Sequence, residues 1–208
     1  MSTELLIQIK KLVIVVVVFQ LAIFLAILVY KLVRRLRENK IQKELLQRIA
    51  AQHGGSYDPG TNRRPPKSVI SHQGHDVEVY YRARTRYKNG CTIGECGVFG
   101  TKDFEFCIYV KTLLSDVAKL VGMQDVVIGQ PVFDQKFIIK TNSPLLIKEF
   151  LSPDVCKQIL SLPKPHMAIK LNKGRLVLSV EEMFKDIRDY DQLIGLTQKL
   201  AEELDRKA

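Results

Sequence analysis

The sequence predicts an α+β protein: a single N-terminal transmembrane helix, then a mainly antiparallel-sheet domain with short helices and a C-terminal helix. Three observations predict it. Leu12 to Tyr30 (LVIVVVVFQLAIFLAILVY) runs nineteen positions without a charge, with Gln20 the one strongly polar residue. Further on, stretches of period-two alternation are separated by tight-turn signals at Gln73-Gly74 and Asn172-Lys173-Gly174. Helical and strand segments also come in blocks, not in the one-by-one alternation of βαβ units.

At 1.5 Å per residue the uncharged run makes a helix about 29 Å long, close to the hydrocarbon thickness of a bilayer. A buried core helix in a small domain rarely runs so long without charge. A cleaved signal peptide would end in a small-x-small site, whereas Tyr30-Lys31-Leu32-Val33-Arg34-Arg35 follows here. An interfacial amphipathic helix needs a polar face, which Gln20 alone does not make.

Lys10 and Lys11 precede the span; Lys31, Arg34, Arg35, Arg37, Lys40, Lys43 and Arg48 follow it. The positive-inside rule therefore places the N-terminus outside and the remainder in the cytoplasm. The implied organisation is a short extracytoplasmic N-terminus (1–11), a transmembrane helix (12–33), a basic juxtamembrane helical stalk (34–55) and a cytoplasmic α+β domain (56–208). In the stalk Leu36, Ile41, Leu45, Ile49 and Ala50 recur at roughly helical spacing, and Gly54-Gly55 is a stop.

The domain opens with a loop, Ser56 to Lys67, rich in Pro, Gly and Asn. Val69-Ile70 and Val77 to Tyr87 flank Gln73-Gly74 as a hairpin. Along the second strand Val77, Val79, Tyr81, Ala83, Thr85 and Tyr87 share one face, and Glu78, Tyr80, Arg82, Arg84, Arg86 and Lys88 the other. Asn89-Gly90 marks a turn, Cys91 to Gly100 is glycine-rich, and Asp103 to Lys111 alternates with Phe104, Phe106, Ile108 and Val110 inward. Leu113 to Val121 is a short helix candidate, and Val132 to Thr141 reads as a strand with Phe133, Phe137 and Ile139 on one face. Ser143-Pro144 and Ser152-Pro153 each start a short helix, Ser capping and Pro in the first helical position. Ala168 to Leu171 and Arg175 to Val180 form a second hairpin. From Glu181 the chain reads as helix, with Leu193, Leu196, Leu200 and Leu204 as its apolar stripe.

The net charge of +10 does not by itself imply nucleic acid, because much of it flanks the span, where it is attracted to anionic lipid headgroups. The four cysteines (Cys91, Cys96, Cys107, Cys156) make no disulfide framework and are expected to be reduced in a cytoplasmic domain. Were the domain outside, Cys91 and Cys96 would be the pair to bridge.

The candidate binding patch is the basic strand face, Arg82, Arg84, Arg86 and Lys88, with Arg63, Arg64 and Lys67 nearby. It suits lipid headgroups, an acidic partner or a phosphate-rich ligand, set against an ordinary solvated strand face. Tyr80, Tyr81 and Tyr87 interleave with these cations, but no complete RNA-binding motif accompanies them, which argues against nucleic acid. His72 and His75 bracket a turn; a zinc site needs further ligands, and Cys91-x4-Cys96 fits no standard pair, so no metal or cofactor is assigned. There is no GxSxG, P-loop or HExxH. Asp134, between apolar residues, could be a buried general base, but such a carboxylate more often caps a neighbouring element or pairs with Lys.

The segment VFDQKFII from Val132, with Pro144 and then Phe150-Leu151-Ser152-Pro153-Asp154-Val155, resembles a family of uncharacterised bacterial membrane-attached proteins, a domain of unknown function. Its pattern is an FDxxF strand, a short helix, an L-[ST]-P helix start, a hairpin and a C-terminal helix, covering roughly Gly129 to Leu204. The resemblance implies a bacterial membrane-anchored α+β domain and brings no activity or catalytic residue.

The resulting expectation is a single-pass membrane protein whose domain binds a protein partner or anionic headgroups through the basic strand face. The alternative is a membrane-associated enzyme with a site near Asp134 or His72/His75. A third reading is a structural subunit whose anchor packs against other helices, Gln20 hydrogen-bonding between them. The sequence leaves the oligomeric state open.

Overall fold

A computed structural model describes residues 3–61, 64–85, 89–99, 103–111, 124–162, 164 and 166–207. The chain divides into two compact units, Met1–Gln42 and Lys43–Ala208. The architecture is α+β: one long apolar N-terminal helix, an antiparallel sheet, several short helices and a closing helix.

Helix α1 spans Thr3–Gln52 without interruption, as expected of a stretch with no Gly or Pro before Gly54. It contains the apolar run, is long and apolar enough to cross a membrane, and leaves Val16 to Tyr30 unburied. Its end is a Schellman cap. Gly54 takes φ +63°, its N–H donates to the Ala51 carbonyl, and the Gly55 N–H donates to the Ala50 carbonyl at 2.8 Å.

The second unit begins earlier than residue 56. Leu46 and Ile49 are fully buried in its core and Ala50 nearly so, and the Ser68 hydroxyl donates to the Leu46 carbonyl at 2.6 Å. Leu36 and Ile41, expected on the same stripe, are exposed. The last turns of the expected stalk are thus a structural helix of the domain.

The sheet has nine strands among the described residues. β1 (Ser56–Asp58), β2 (Lys67–His72), β3 (His75–Arg82) and β4 (Cys91–Gly97) form a meander. β9 (Arg175–Val180) and β8 (Met167–Asn172) continue it, then come β5 (Phe106–Val110), β7 (Phe137–Thr141) and β6 (Gln124–Val126). Every pairing is antiparallel. Both expected hairpins form with two-residue loops. Gln73 and Gly74 have φ 48° and 88°, and Lys173 and Gly174 have φ 51° and 72°. Positive φ at both positions is the turn whose twist matches the flanking strands.

One face of the sheet carries a registered apolar row: Val79, Gly94, Leu178, Ile169, Ile108 and Ile139. Helix α5 (Ile187–Lys207) lies over this face, burying Leu193, Leu196, Leu200 and Leu204. α3 (Pro144–Phe150) and α4 (Pro153–Ser161) pack beside α5. Pro144 and Pro153 open their helices as expected, but only Ser152 caps by its side chain, accepting the Val155 N–H at 3.4 Å. The buried threonine hydroxyls are engaged: Thr92 donates to the Glu182 carbonyl, Thr141 to Glu105 and Thr197 to Leu193.

Four expectations are corrected. Residues 132–136 are not strand: Pro131–Lys136 is helix α2, and the strand is only Phe137–Thr141. Phe133 and Phe137, four apart, share a side in either conformation, and their ring centroids lie 4.6 Å apart with the planes tilted by 33°. The FDxxF motif is therefore a helical turn leading into a strand. β3 stops at Arg82, not Tyr87: its pairing with β2 already ends at Tyr80 opposite Lys67, where Pro65-Pro66 precedes that strand, and its pairing with β4 ends at Arg82 opposite Cys91, the first residue of β4. The stretch 181–186 is not helical, since the Glu182 carbonyl turns back to accept from the Thr92 N–H and hydroxyl. Cys91 and Cys96 lie five residues apart on one strand, about 16 Å, so they cannot bridge; none of the four cysteines forms a disulfide and all are buried. The helix expected at Leu113 to Val121 lies outside the described residues.

Candidate functional site

Arg82 closes β3 and Arg84 follows it; both side chains are exposed, as is Arg64. Arg86 and Lys88 lie outside the described residues. On the face opposite α5, Glu78 stands across from Glu95 in register, so the face is not uniformly basic. Lys67 meets Glu78 at 2.9 Å and Arg175 meets Glu95 at 3.6 Å. Burial and then Glu95 push the Tyr80 phenol up to about 12. Among the described residues no ion pair meets Arg82 or Arg84 at the end of the strand, or Arg64 in the loop before β2, so the patch's uncompensated positive charge is on these three. That face could receive a phosphate or carboxylate, while its middle is neutralised by cross-strand pairs that the alternation alone did not announce.

On α1, the side chains of Lys31, Arg34, Arg35 and Arg37 are exposed. Arg34 Nε donates to Glu38 Oε1 at 2.8 Å, one turn on, and this bond raises the guanidinium pKa.

The two histidines are opposite each other in the β2–β3 register but differ in setting. His72 is exposed, whereas His75 is buried. His75 Nδ1 lies 3.3 Å from the Gly97 carbonyl oxygen and Nε2 lies 3.4 Å from Asp205 Oδ2. Asp205 also accepts the Phe99 N–H at 2.8 Å. His75 thus ties the start of β3 and the end of β4 to the last turns of α5, a role that its sequence neighbours do not reveal. Cys96, on the same face, has its thiol pushed up to about 12, chiefly by burial and then by Asp205 and Glu95, which is opposite to the activation a nucleophile needs. No group of three or more His, Cys, Asp or Glu side chains placed to hold a metal is found among the described residues.

Asp134 sits in α2. Its carboxylate accepts the Ile128 N–H at 3.1 Å and the Gly129 N–H at 2.9 Å. Both oxygens therefore cap the loop entering the helix, the structural role expected of it.

These features define a class: an α+β domain joined to one helix able to cross a membrane. No family model matches the chain, and no curated protein sequence matches it. In fold the chain is similar to the crystal structure of the mycobacterial trehalose monomycolate transport factor A, TtfA. The TM-score is 0.60 at 8% identity, covering 80% of this chain and 94% of that one. At that identity the likeness is one of fold.

Proposed function

We propose that this is a single-pass protein of a bacterial inner membrane, N-terminus outside, whose cytoplasmic domain binds rather than catalyses. The observation that carries the reading is the uncharged run on α1, unburied from Val16 to Tyr30 and followed at once by Lys31, Arg34, Arg35 and Arg37. In water such a surface has no stable home; in a bilayer it is solvated by lipid, and the cations meet the headgroups. Arg82 and Arg84 supply the domain's own contact with anionic headgroups or with an acidic protein partner. The resemblance to the bacterial membrane-attached family fits the same reading.

The full chain, reconstituted in vesicles with and without anionic lipid, tests the headgroup contact. A fluorophore near Arg84 should be quenched by headgroup-labelled anionic lipid and released as salt rises. Arg82→Gln with Arg84→Gln should release it at low salt, by about 2 kcal/mol or roughly thirty-fold in the docked population. Unchanged quenching in the double variant rejects lipid contact through these residues.

A second reading is favoured by the fold shared with a transport factor: an accessory subunit of a membrane transport assembly. It keeps the anchored, non-catalytic domain and replaces lipid by a protein partner. Cross-linking in intact membranes separates the two readings, because only the second yields a stoichiometric protein adduct through the Arg82–Arg84 end.

A further inference from the structure

Gln20 sits within about one helical turn of the middle of the 12–33 segment. Its side chain is exposed and makes no hydrogen bond to the described residues. In the reading of α1 as an anchor, on which this inference rests, that leaves a primary amide facing hydrocarbon, where it retains two donors and an acceptor with nothing to meet them. Neighbouring side chains on the same helix cannot help: Val16, Val17, Ile23, Phe24 and Ile27, the positions within reach one or two turns away, are all apolar.

We infer that α1 pairs with a second copy of this chain, as a parallel dimer in which the two Gln20 amides hydrogen-bond across the two-fold axis. Two arguments select a second copy. An amide is its own complement, donor and acceptor together, so identical residues meeting at a symmetry axis satisfy each other. A second copy inserted by the same flanking charges also places its Gln20 at the same depth and with the same polarity. Spacing supplies the rest of the seam. Val16, Gln20, Ile23, Ile27 and Tyr30 recur at intervals of four, three, four and three. That is the 3.5-residue period of a left-handed pair, with β-branched residues flanking the amide. Immediately beyond the seam, Arg34 is already engaged by Glu38 in its own helix, which moderates the repulsion between the two copies.

The seam is distinct from the adjacent face bearing Ala22 and Ala26, and this makes the inference testable. The full chain is expressed in membranes as single-cysteine additions, Ile23→Cys, Ile27→Cys, Ala22→Cys and Ala26→Cys, and mildly oxidised. The unmodified chain, whose native cysteines are buried, is the control. Disulfide-linked dimers are expected at 23 and 27. In bilayers of fixed protein density, Gln20→Leu should weaken dimerisation about 3- to 20-fold, while Gln20→Asn, which keeps the amide, should largely restore it. Gln20→Leu makes the span more apolar, so insertion is retained. Cross-linking confined to 22 and 26, a chain that stays monomeric in the membrane, or Gln20→Leu dimers of native strength would each overturn the inference. Extraction of the chain by alkaline carbonate would overturn it together with the anchor reading; resistance to carbonate without dimers overturns the dimer alone.

Discussion

Replacing Gly94 by Ala places a methyl group beneath α5. A Cβ built on Gly94 stands 2.9 Å from Thr197 Oγ1 and 3.3 Å and 3.5 Å from Leu193 Cγ and Cδ2. Thr197 cannot swing aside freely, because its hydroxyl donates to the Leu193 carbonyl at 2.7 Å and its side chain is fully buried. Overpacking of this kind costs about 1–3 kcal/mol. The lost flexibility of glycine in a strand returns about 0.5 kcal/mol. The net, about 1.5 kcal/mol, corresponds to a fall in Tm of about 3–6 °C for a domain the size of Lys43–Ala208. The assay is thermal unfolding of the full chain in detergent, followed by near-UV circular dichroism of its tyrosines, since it contains no tryptophan. Thr197→Ala removes the nearest atom. The double variant should therefore be about 1 kcal/mol more stable than the two single changes predict by addition. A native Tm for Gly94→Ala, or strict additivity in the double variant, would refute the account of how closely α5 sits on β4.

Further predictions concern the thiols, the α2 cap and the start of the domain. Burial pushes the thiols of Cys96 and Cys156 up to about 12 and that of Cys107 to about 11, against 9.0 for a free thiol. The folded chain thus keeps protons that the unfolded chain has released, so this stability is complete below about pH 9 and is lost as pH climbs toward the folded values. Urea midpoints should fall above about pH 9, and a flat profile there would contradict the burial. Asp134→Ala leaves two loop N–H groups without their acceptor at a cost of about 1–3 kcal/mol, seen as faster amide exchange at Ile128 and Gly129, with Asp134→Asn milder. Leu46→Ala should cost about 2–5 kcal/mol whereas Leu36→Ala stays within about 0.5, and equal effects would reject a domain core that begins inside α1.

What could be read from residues alone was short in range. The α5 stripe, the two hairpin turns and the Ser-Pro helix starts rest on spacings of two to four residues, and each is where the pattern places it. The α2 turn escaped because Phe133 and Phe137 obey a helical and a strand period equally well, and six residues are too few to separate them. The end of β3 is set by where β4 begins, at Cys91 opposite Arg82, so no alternation within β3 could reveal it. The candidate patch was legible in the same partial way. The exposure of Arg82 and Arg84 follows from their own positions, while the neutralisation of its centre requires Glu95 and Arg175, which only the β3–β4–β9 register brings alongside Glu78.

The insertion of the β8–β9 hairpin beside β4 has a consequence for biosynthesis. β4 pairs with β9, and roughly 80 residues separate Gly97 from Arg175. At about 5–20 residues per second, the β4 edge waits roughly 4–16 s for its partner to be synthesised. During that interval a four-stranded meander, open along β4 as well as along β1, is attached to a nascent chain whose apolar helix has already left the ribosome. Assembly of this sheet is therefore necessarily late, and the half-made domain must be kept from pairing with strands of neighbouring chains until the C-terminal third arrives.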